Sequence, residues 1–208
     1  MLYDYLIANF DRTEPIFLSE IKGYSSDYVR QEMKRLTDEG KLERMYNGVY
    51  YIPYISILGT SGKISVKSLI DKKYVKNKND IYGYYTGIYL LNKLGFTTQN
   101  PSVYEVCSNI ASTKQRRLEI DGVNMIIYKP VCKINIQNYK ELQFLDLILL
   151  LDKYSEIKTE EIKIKLKKYI IEEKINLKLV KELLPLYPDK IYKNLYYGGV
   201  MDELVRNT

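Results

Sequence analysis

The chain has 208 residues, 46% hydrophobic and 28% charged, with a net charge of +6, a composition that supports one or two ordinary folded domains and excludes a disordered chain. It has no histidine, so Ser-His-Asp and Cys-His nucleophile pairs, histidine acid–base chemistry and most transition-metal sites are excluded. Its longest apolar run, Leu147–Leu151, is far below the ~20 residues of a membrane span.

Other compositional features narrow the expectation further. No basic region precedes the short apolar segment around Asp4 and Asp11, which argues against a signal peptide. Cys107 and Cys132 have neither a disulfide context nor a metal-ligand spacing, and they predict reduced, buried thiols in a cytoplasmic protein. The charge is uneven. Residues 1–54 hold seven Lys/Arg and nine Asp/Glu, residues 55–140 thirteen and five, and residues 141–208 twelve of each. The basic middle region suits nucleic acid or another acidic partner.

In chain order, Leu2–Phe10 reads as a short amphipathic helix. Ser19 is placed to cap a second short helix that carries Ile21 inward and stops near Gly23, because glycine tolerates the left-handed backbone of a helix end. Ser25 or Ser26 then caps a third, with Asp27 in its first turn where the helix dipole favours an anion. Val29, Met33 and Leu36 recur at helical spacing as its buried stripe, and Gly40 closes it. Leu42–Ile52 alternates around Asn47-Gly48, the strongest short hairpin signal, for which a type I′ turn is expected.

This is the grammar of a winged helix-turn-helix. The open helix face carries Tyr28, Arg30, Gln31, Lys34 and Arg35, and the wing carries Arg44, Tyr46 and Asn47. Arg and Lys suit phosphate or guanine, Gln suits adenine, and Tyr suits a phosphate or a thymine methyl.

Pro53–Lys63 reads as a junction rich in Pro, Gly and Ser, which divides the chain into domains 1–56 and 57–208. Beyond it, Ser65–Tyr74 and Ile81–Leu94 read as helices, the latter with Ile88, Leu91 and Leu94 inward and Gly95 as its stop. Ser102–Ile110 reads as a strand and Leu118–Lys129 as a hairpin around Asp121-Gly122 with a central strand Val123–Tyr128. Tyr139–Tyr154 is apolar on nearly all sides and predicts the core helix. Helices capped by Thr159, Asn176 and Asp189 follow. The expected class is α+β: an N-terminal winged helix-turn-helix and a C-terminal mixed α/β domain. Lys114, Arg116 and Arg117, placed in a loop ahead of the hairpin, form a cluster able to clamp a phosphate.

Several runs together resemble the AbiE-type antitoxins. One is Leu36…Gly40-Lys41-Leu42-Glu43-Arg44…Asn47-Gly48-Val49-Tyr50 with Pro53 and Gly59. A second is Tyr82-Gly83-Tyr84-Tyr85-Thr86-Gly87. A third is Asn92-Lys93-Leu94-Gly95-Phe96-Thr97-Thr98-Gln99-Asn100-Pro101, of which the block from Gly95 to Pro101 is the more specific. Ser108-Asn109 and Ile136-Gln137-Asn138…Leu142 fit the same pattern. The resemblance implies a two-domain bacterial autorepressor of a type IV toxin–antitoxin and phage-defence operon. It implies duplex promoter DNA as partner, DNA-contact roles for Ser26, Tyr28, Gln31, Lys34 and Arg44, and an antitoxin domain. That domain counteracts a nucleotidyltransferase-like toxin from the same operon without a stable complex. Inverted-repeat operators call for two copies on DNA, hence a possible homodimer.

Two other functions compete. An adaptor whose winged helix binds protein is favoured by the acidic balance of residues 1–54. A metal-dependent nuclease or nucleotidyltransferase has Glu119, Asp121 and Lys129 as its candidates, with Glu172 and Lys174 on a charged helix. It lacks the Gly-Ser turn and convergent carboxylates that such chemistry needs. No catalytic residue, metal or cofactor is therefore expected.

Overall fold

A computed structural model of the chain describes residues 1–12, 14–55, 57 and 61–206. Gly59 and part of the 53–63 junction lie outside the described residues. The fold is α+β, in two compact units: Met1–Lys73 with Ile120–Gly122, and Tyr74–Glu119 with Val123–Thr208.

In the first unit, helix α1 (Leu2–Asn9) buries Leu2 and Leu6. Strand β1 (Ile16–Phe17) runs into a 3-10 turn, Leu18–Glu20. That turn replaces the expected Ser19-capped helix. Ser19 lies inside it, and the Glu20 carboxylate accepts the Phe17 N–H at 3.0 Å. Gly23, at φ +85°, follows so closely that there is room for one tight turn only. Ile21 is buried as expected.

Helix α2 (Ser26–Asp38) is capped by Ser25 rather than Ser26, Ser25 Oγ accepting the Tyr28 N–H at 3.4 Å. Val29, Met33 and Leu36 are its buried residues. Gly40, at φ +70°, turns the chain so that the Lys41 and Leu42 N–H groups both reach the Leu36 carbonyl.

The wing is β2 (Glu43–Tyr46) and β3 (Val49–Tyr51), in an antiparallel sheet of order β1-β3-β2. Its turn departs from the expected type I′. Gly48 is left-handed at φ +74° but Asn47 is not, and the register shifts between Arg44 and Tyr46. One left-handed residue plus a bulge gives a wider loop than the two-residue turn. A ribbon of β4 (Tyr54–Ile55) and β5 (Ser61–Gly62) follows, then α3 (Val66–Ile70), capped by Ser65, and a π-helical turn, Asp71–Val75.

Lys72, on that π-turn, ties the unit together. Its Nζ lies 2.8 Å from Glu14, 2.9 Å from Glu20 and 2.7 Å from the Pro15 carbonyl. It also sits 5.0 Å from the centre of the Phe10 ring and 5.6 Å from that of Phe17.

A four-stranded sheet of order β6-β7-β9-β8 is made of β6 (Gly83–Tyr85), β7 (Tyr104–Ser108), β8 (Gln115–Ile120) and β9 (Val123–Tyr128), all in the second unit except Ile120. β6 runs antiparallel to β7, and β7 parallel to β9. The helix expected over 81–94 is therefore split: 83–85 form a strand, and α4 (Gly87–Lys93) is shorter. Gly83 shows why. A Cβ there would stand 2.1 Å from the Tyr74 carbonyl oxygen and 2.8 Å from that of Cys107, so backbone approaches backbone and the sheet takes the segment. Asp121 and Gly122 are both left-handed, as their type I′ hairpin requires.

Helix α5 (Tyr139–Tyr154) fills the core, burying Leu142, Phe144, Leu145, Leu147, Ile148 and Leu151. Around it lie α6 (Thr159–Glu173), α7 (Leu177–Leu183), a 3-10 turn Leu184–Leu186, α8 (Lys190–Tyr197) and α9 (Met201–Arg206). Asn176 caps α7 by accepting the Lys178 and Leu179 N–H groups. Thr159 is the first residue of α6 rather than its cap, and Asp189 makes no side-chain capping bond.

Candidate nucleic-acid interface

The side of α2 opposite its buried stripe presents Gln31 and Lys34 together with Asp27 and Asp38, flanked by Ser26 and Arg30 on one edge and Tyr28 on the other, all exposed. The periodicity that buries Val29, Met33 and Leu36 turns these residues outward. Tyr28 stacks on Tyr24, with ring centres 5.6 Å apart, and Tyr24 meets Tyr5 edge-on at 5.9 Å. The result is a tyrosine ridge at the start of the helix. Lys34 has no ion pair among the described residues. Arg30 reaches Asp27 at 3.7 Å, and both side chains remain mostly in solvent, where such a pair is weak.

Arg35 is different. Its guanidinium forks onto Glu32, with Nε 3.0 Å from the carboxylate, and also pairs with Glu39. The Glu32 bond is the main reason its pKa is raised, and the Arg35 bond in turn lowers that of Glu32. Glu39 is lowered first by Lys41, then by Arg35. Two carboxylates thus neutralise Arg35, leaving it little positive field to offer a phosphate.

In the wing, Arg44 Nη2 donates to Asn47 Oδ1 at 2.8 Å and Nε to the Tyr46 carbonyl at 3.4 Å. This pins the guanidinium across the bulged turn. Tyr46 and Asn47 are exposed at the tip. At the base of the wing, Tyr51 donates to Glu43. Helix face and wing lie in the same compact unit, and their free cationic groups are few.

Of the cluster Lys114, Arg116 and Arg117, only Lys114 lies in the loop ahead of the hairpin. Arg116 and Arg117 are successive residues of β8, an edge strand, so their side chains leave on opposite faces of the sheet. All three residues are exposed, but this geometry does not converge on one phosphate. Glu119 is exposed on the same strand, and Asp121 forms the hairpin turn. Among the described residues no group of three or more His, Cys, Asp or Glu side chains is arranged to hold a metal.

The signature segments of the second unit have structural employment. Glu156 accepts the Thr98 N–H at 2.7 Å, the Thr98 hydroxyl at 2.8 Å and the Gln99 amide at 3.0 Å. These donors, the Thr98 backbone first, pull its carboxyl down to about 2. Asn109 exchanges two hydrogen bonds with the Ile134 backbone, at 2.8 and 2.9 Å. Asn135 and Asn138 close the turn into α5. Tyr84 and Tyr85 belong to β6 rather than to a helix start.

One polar group was missed by the sequence reading although it left a signal. Asp146 is the single charge in the apolar run 142–151. It is half-buried, with Tyr84 Oη 3.1 Å from Oδ2 and Tyr187 Oη 3.2 Å from Oδ1. Tyr187 Oη is also 3.2 Å from the Leu142 carbonyl, so its one proton is shared. Desolvation pushes the Asp146 carboxyl up to about 6, against the pull of the hydroxyl bonds. Nearby Cys107 is buried and its thiol is pushed up to about 12, chiefly by the same cause, which leaves it unreactive.

Fold and surface together define a two-unit α+β protein whose first unit has the winged-helix layout. The chain belongs to a family described as a family of unknown function, DUF6088, whose model matches residues 6–179. No curated protein matches it. No helix among the described residues is long and apolar enough to cross a membrane.

Proposed function

We propose that this protein is a cytoplasmic, non-enzymatic transcriptional repressor of its own operon. In this reading the second unit is an antitoxin that counteracts a nucleotidyltransferase-like toxin without a stable complex. The observation that carries the proposal is the open side of α2, where Gln31 and Lys34 stand together and exposed, with Ser26 and Tyr28 exposed on its two flanks, in the same unit as the Asn47-Gly48 wing. Such a helix suits the major groove, with the wing on the adjacent backbone. The resemblance to AbiE-type antitoxins supports the second half. The test is a reporter fused to the DNA upstream of the gene, together with co-expression of the neighbouring open reading frame. Repression by the full chain, weakened on Lys34→Ala, and relief of growth arrest by the chain are the expected results. A reporter indifferent to the protein removes the repressor half, and unrelieved arrest removes the antitoxin half.

A protein-binding adaptor is the alternative. What favours it is the acidic balance of residues 1–54 together with the neutralised Arg35, which make the winged helix a poor general polyanion binder.

A further inference from the structure

The second unit contains a cavity of about 370 Å³, within the size range of small-molecule sites. Its walls carry two kinds of polar group that differ in exposure. The carboxylates of Glu105, from β7, and Asp146, from α5, are partly buried. At the exposed rim are Lys129, Lys153 and Lys190, from the end of β9, the last turn of α5 and the first residue of α8. None of the three lysines has a carboxylate within ion-pair distance among the described residues. Lys153 Nζ lies over the Tyr154 ring at 4.6 Å.

The carboxylates are positioned by the fold and keep acceptor capacity. Glu105 accepts the Ile88 N–H at 3.2 Å on one oxygen and the Tyr128 hydroxyl at 2.8 Å on the other. Gly87 permits this approach, since a Cβ there would stand 1.9 Å from Glu105 Oε1. Asp146 receives the Tyr84 and Tyr187 hydroxyls. An ionised carboxylate has about four lone-pair sites, so each retains at least one for a ligand. Leu149, Leu150 and Tyr154 supply apolar surface to the same cavity.

A ligand matching this polarity has hydrogen-bond donors, a flat apolar part and negative charge. We propose that the cavity binds a nucleotide whose base carries an exocyclic amino group, with its phosphate on the lysine rim and its amino edge on Glu105 and Asp146. Guanine, adenine and cytosine each offer an amino donor. Uracil offers an N–H flanked by two carbonyls, which the carboxylates repel. The inference is independent of DNA binding by the first unit, and it uses no residue of that unit.

Isothermal titration calorimetry of the full chain with GMP, AMP, CMP, UMP and inorganic phosphate tests it. At least one amino-bearing nucleotide is expected to bind about tenfold more tightly than UMP or phosphate, the scale of one charge-assisted hydrogen bond. Lys190→Ala is expected to weaken that nucleotide about tenfold, with an unchanged thermal midpoint. Glu105→Gln and Asp146→Asn are expected to abolish the preference over UMP. If Asp146→Asn fails to fold, the exposed Lys190 variant and Glu105→Gln still decide. No heat with any nucleotide overturns the proposal. So does equal affinity for UMP, phosphate binding as tight as the nucleotide, or a Lys190 variant that binds like the parent.

Discussion

Gln31 and Lys34 share one open face of α2, yet they differ in what they can do to DNA. An amide can pair with the edge of an adenine, whereas an ammonium meets a phosphate whatever the sequence. Lys34→Ala is therefore expected to weaken operator and scrambled DNA alike and to lower the salt slope by about 1. Gln31→Ala should relax base preference at one position and leave that slope alone. Anisotropy titrations at several salt concentrations separate the two, and identical behaviour of both variants and the parent would exclude α2 as the reader. Arg35→Ala leaves Glu32 and Glu39 without their shared cation, so it too should weaken operator and scrambled DNA alike, through repulsion rather than a lost phosphate contact.

Asp146 makes a different prediction at the same scale. Burial raises its carboxyl to about 6 from the ordinary 3.8, so the folded chain holds that proton more tightly than the unfolded chain. Its contribution is fully favourable below pH ~4 and is lost as the pH rises to about 6. Between pH 5 and 7 the urea midpoint of the parent should fall relative to that of Asp146→Asn, which cannot titrate. A parallel pH dependence of the two would contradict the assignment.

At the scale of elements, Lys72 is the strongest case of a residue that sequence could not reveal. It reads as one of several lysines in a charged helix. Its two carboxylates and two aromatic rings come from segments more than 50 residues earlier in the chain. Its side chain is only 11% exposed, so Lys72→Met strands two partly buried carboxylates and should cost on the order of 3 kcal/mol in urea unfolding. A loss below about 1 kcal/mol, the range of exposed pairs, would show the cluster to be a solvated one. Gly83→Ala should also destabilise, by about 1–3 kcal/mol, because its methyl meets two backbone carbonyls that cannot swing away.

Legibility followed how local the determining contacts are. Helix α5 was readable to its ends because its apolar character is continuous and the turn before it is closed by Asn135 and Asn138. The Asp121-Gly122 hairpin was readable because both residues accept left-handed backbone. The 3-10 turn at 18–20 and the strand at 83–85 were not, since each is decided by a neighbour: the Glu20 carboxylate in one case, and in the other the β7 backbone with the Tyr74 carbonyl. The open face of α2 followed directly from its buried stripe. The cavity around Asp146 needed the fold, because its carboxylates and lysines come from separate elements. The sequence showed only a lone charge in an apolar helix.

For the whole molecule, the net +6 lies in the middle of the chain, and the region that includes α2 and the wing is slightly acidic. Such a unit gains little from nonspecific attraction to phosphate, so recognition must come from a small number of placed side chains. DNA binding is accordingly expected to be selective rather than general. The most direct measurement is fluorescence anisotropy of the full chain with labelled DNA from immediately upstream of its gene, against scrambled DNA of the same composition, at two salt concentrations. Tight, salt-sensitive binding to the upstream DNA alone is the predicted result. Equal weak binding to both DNAs, or none at low salt, would contradict it and leave the winged helix as a protein-binding module.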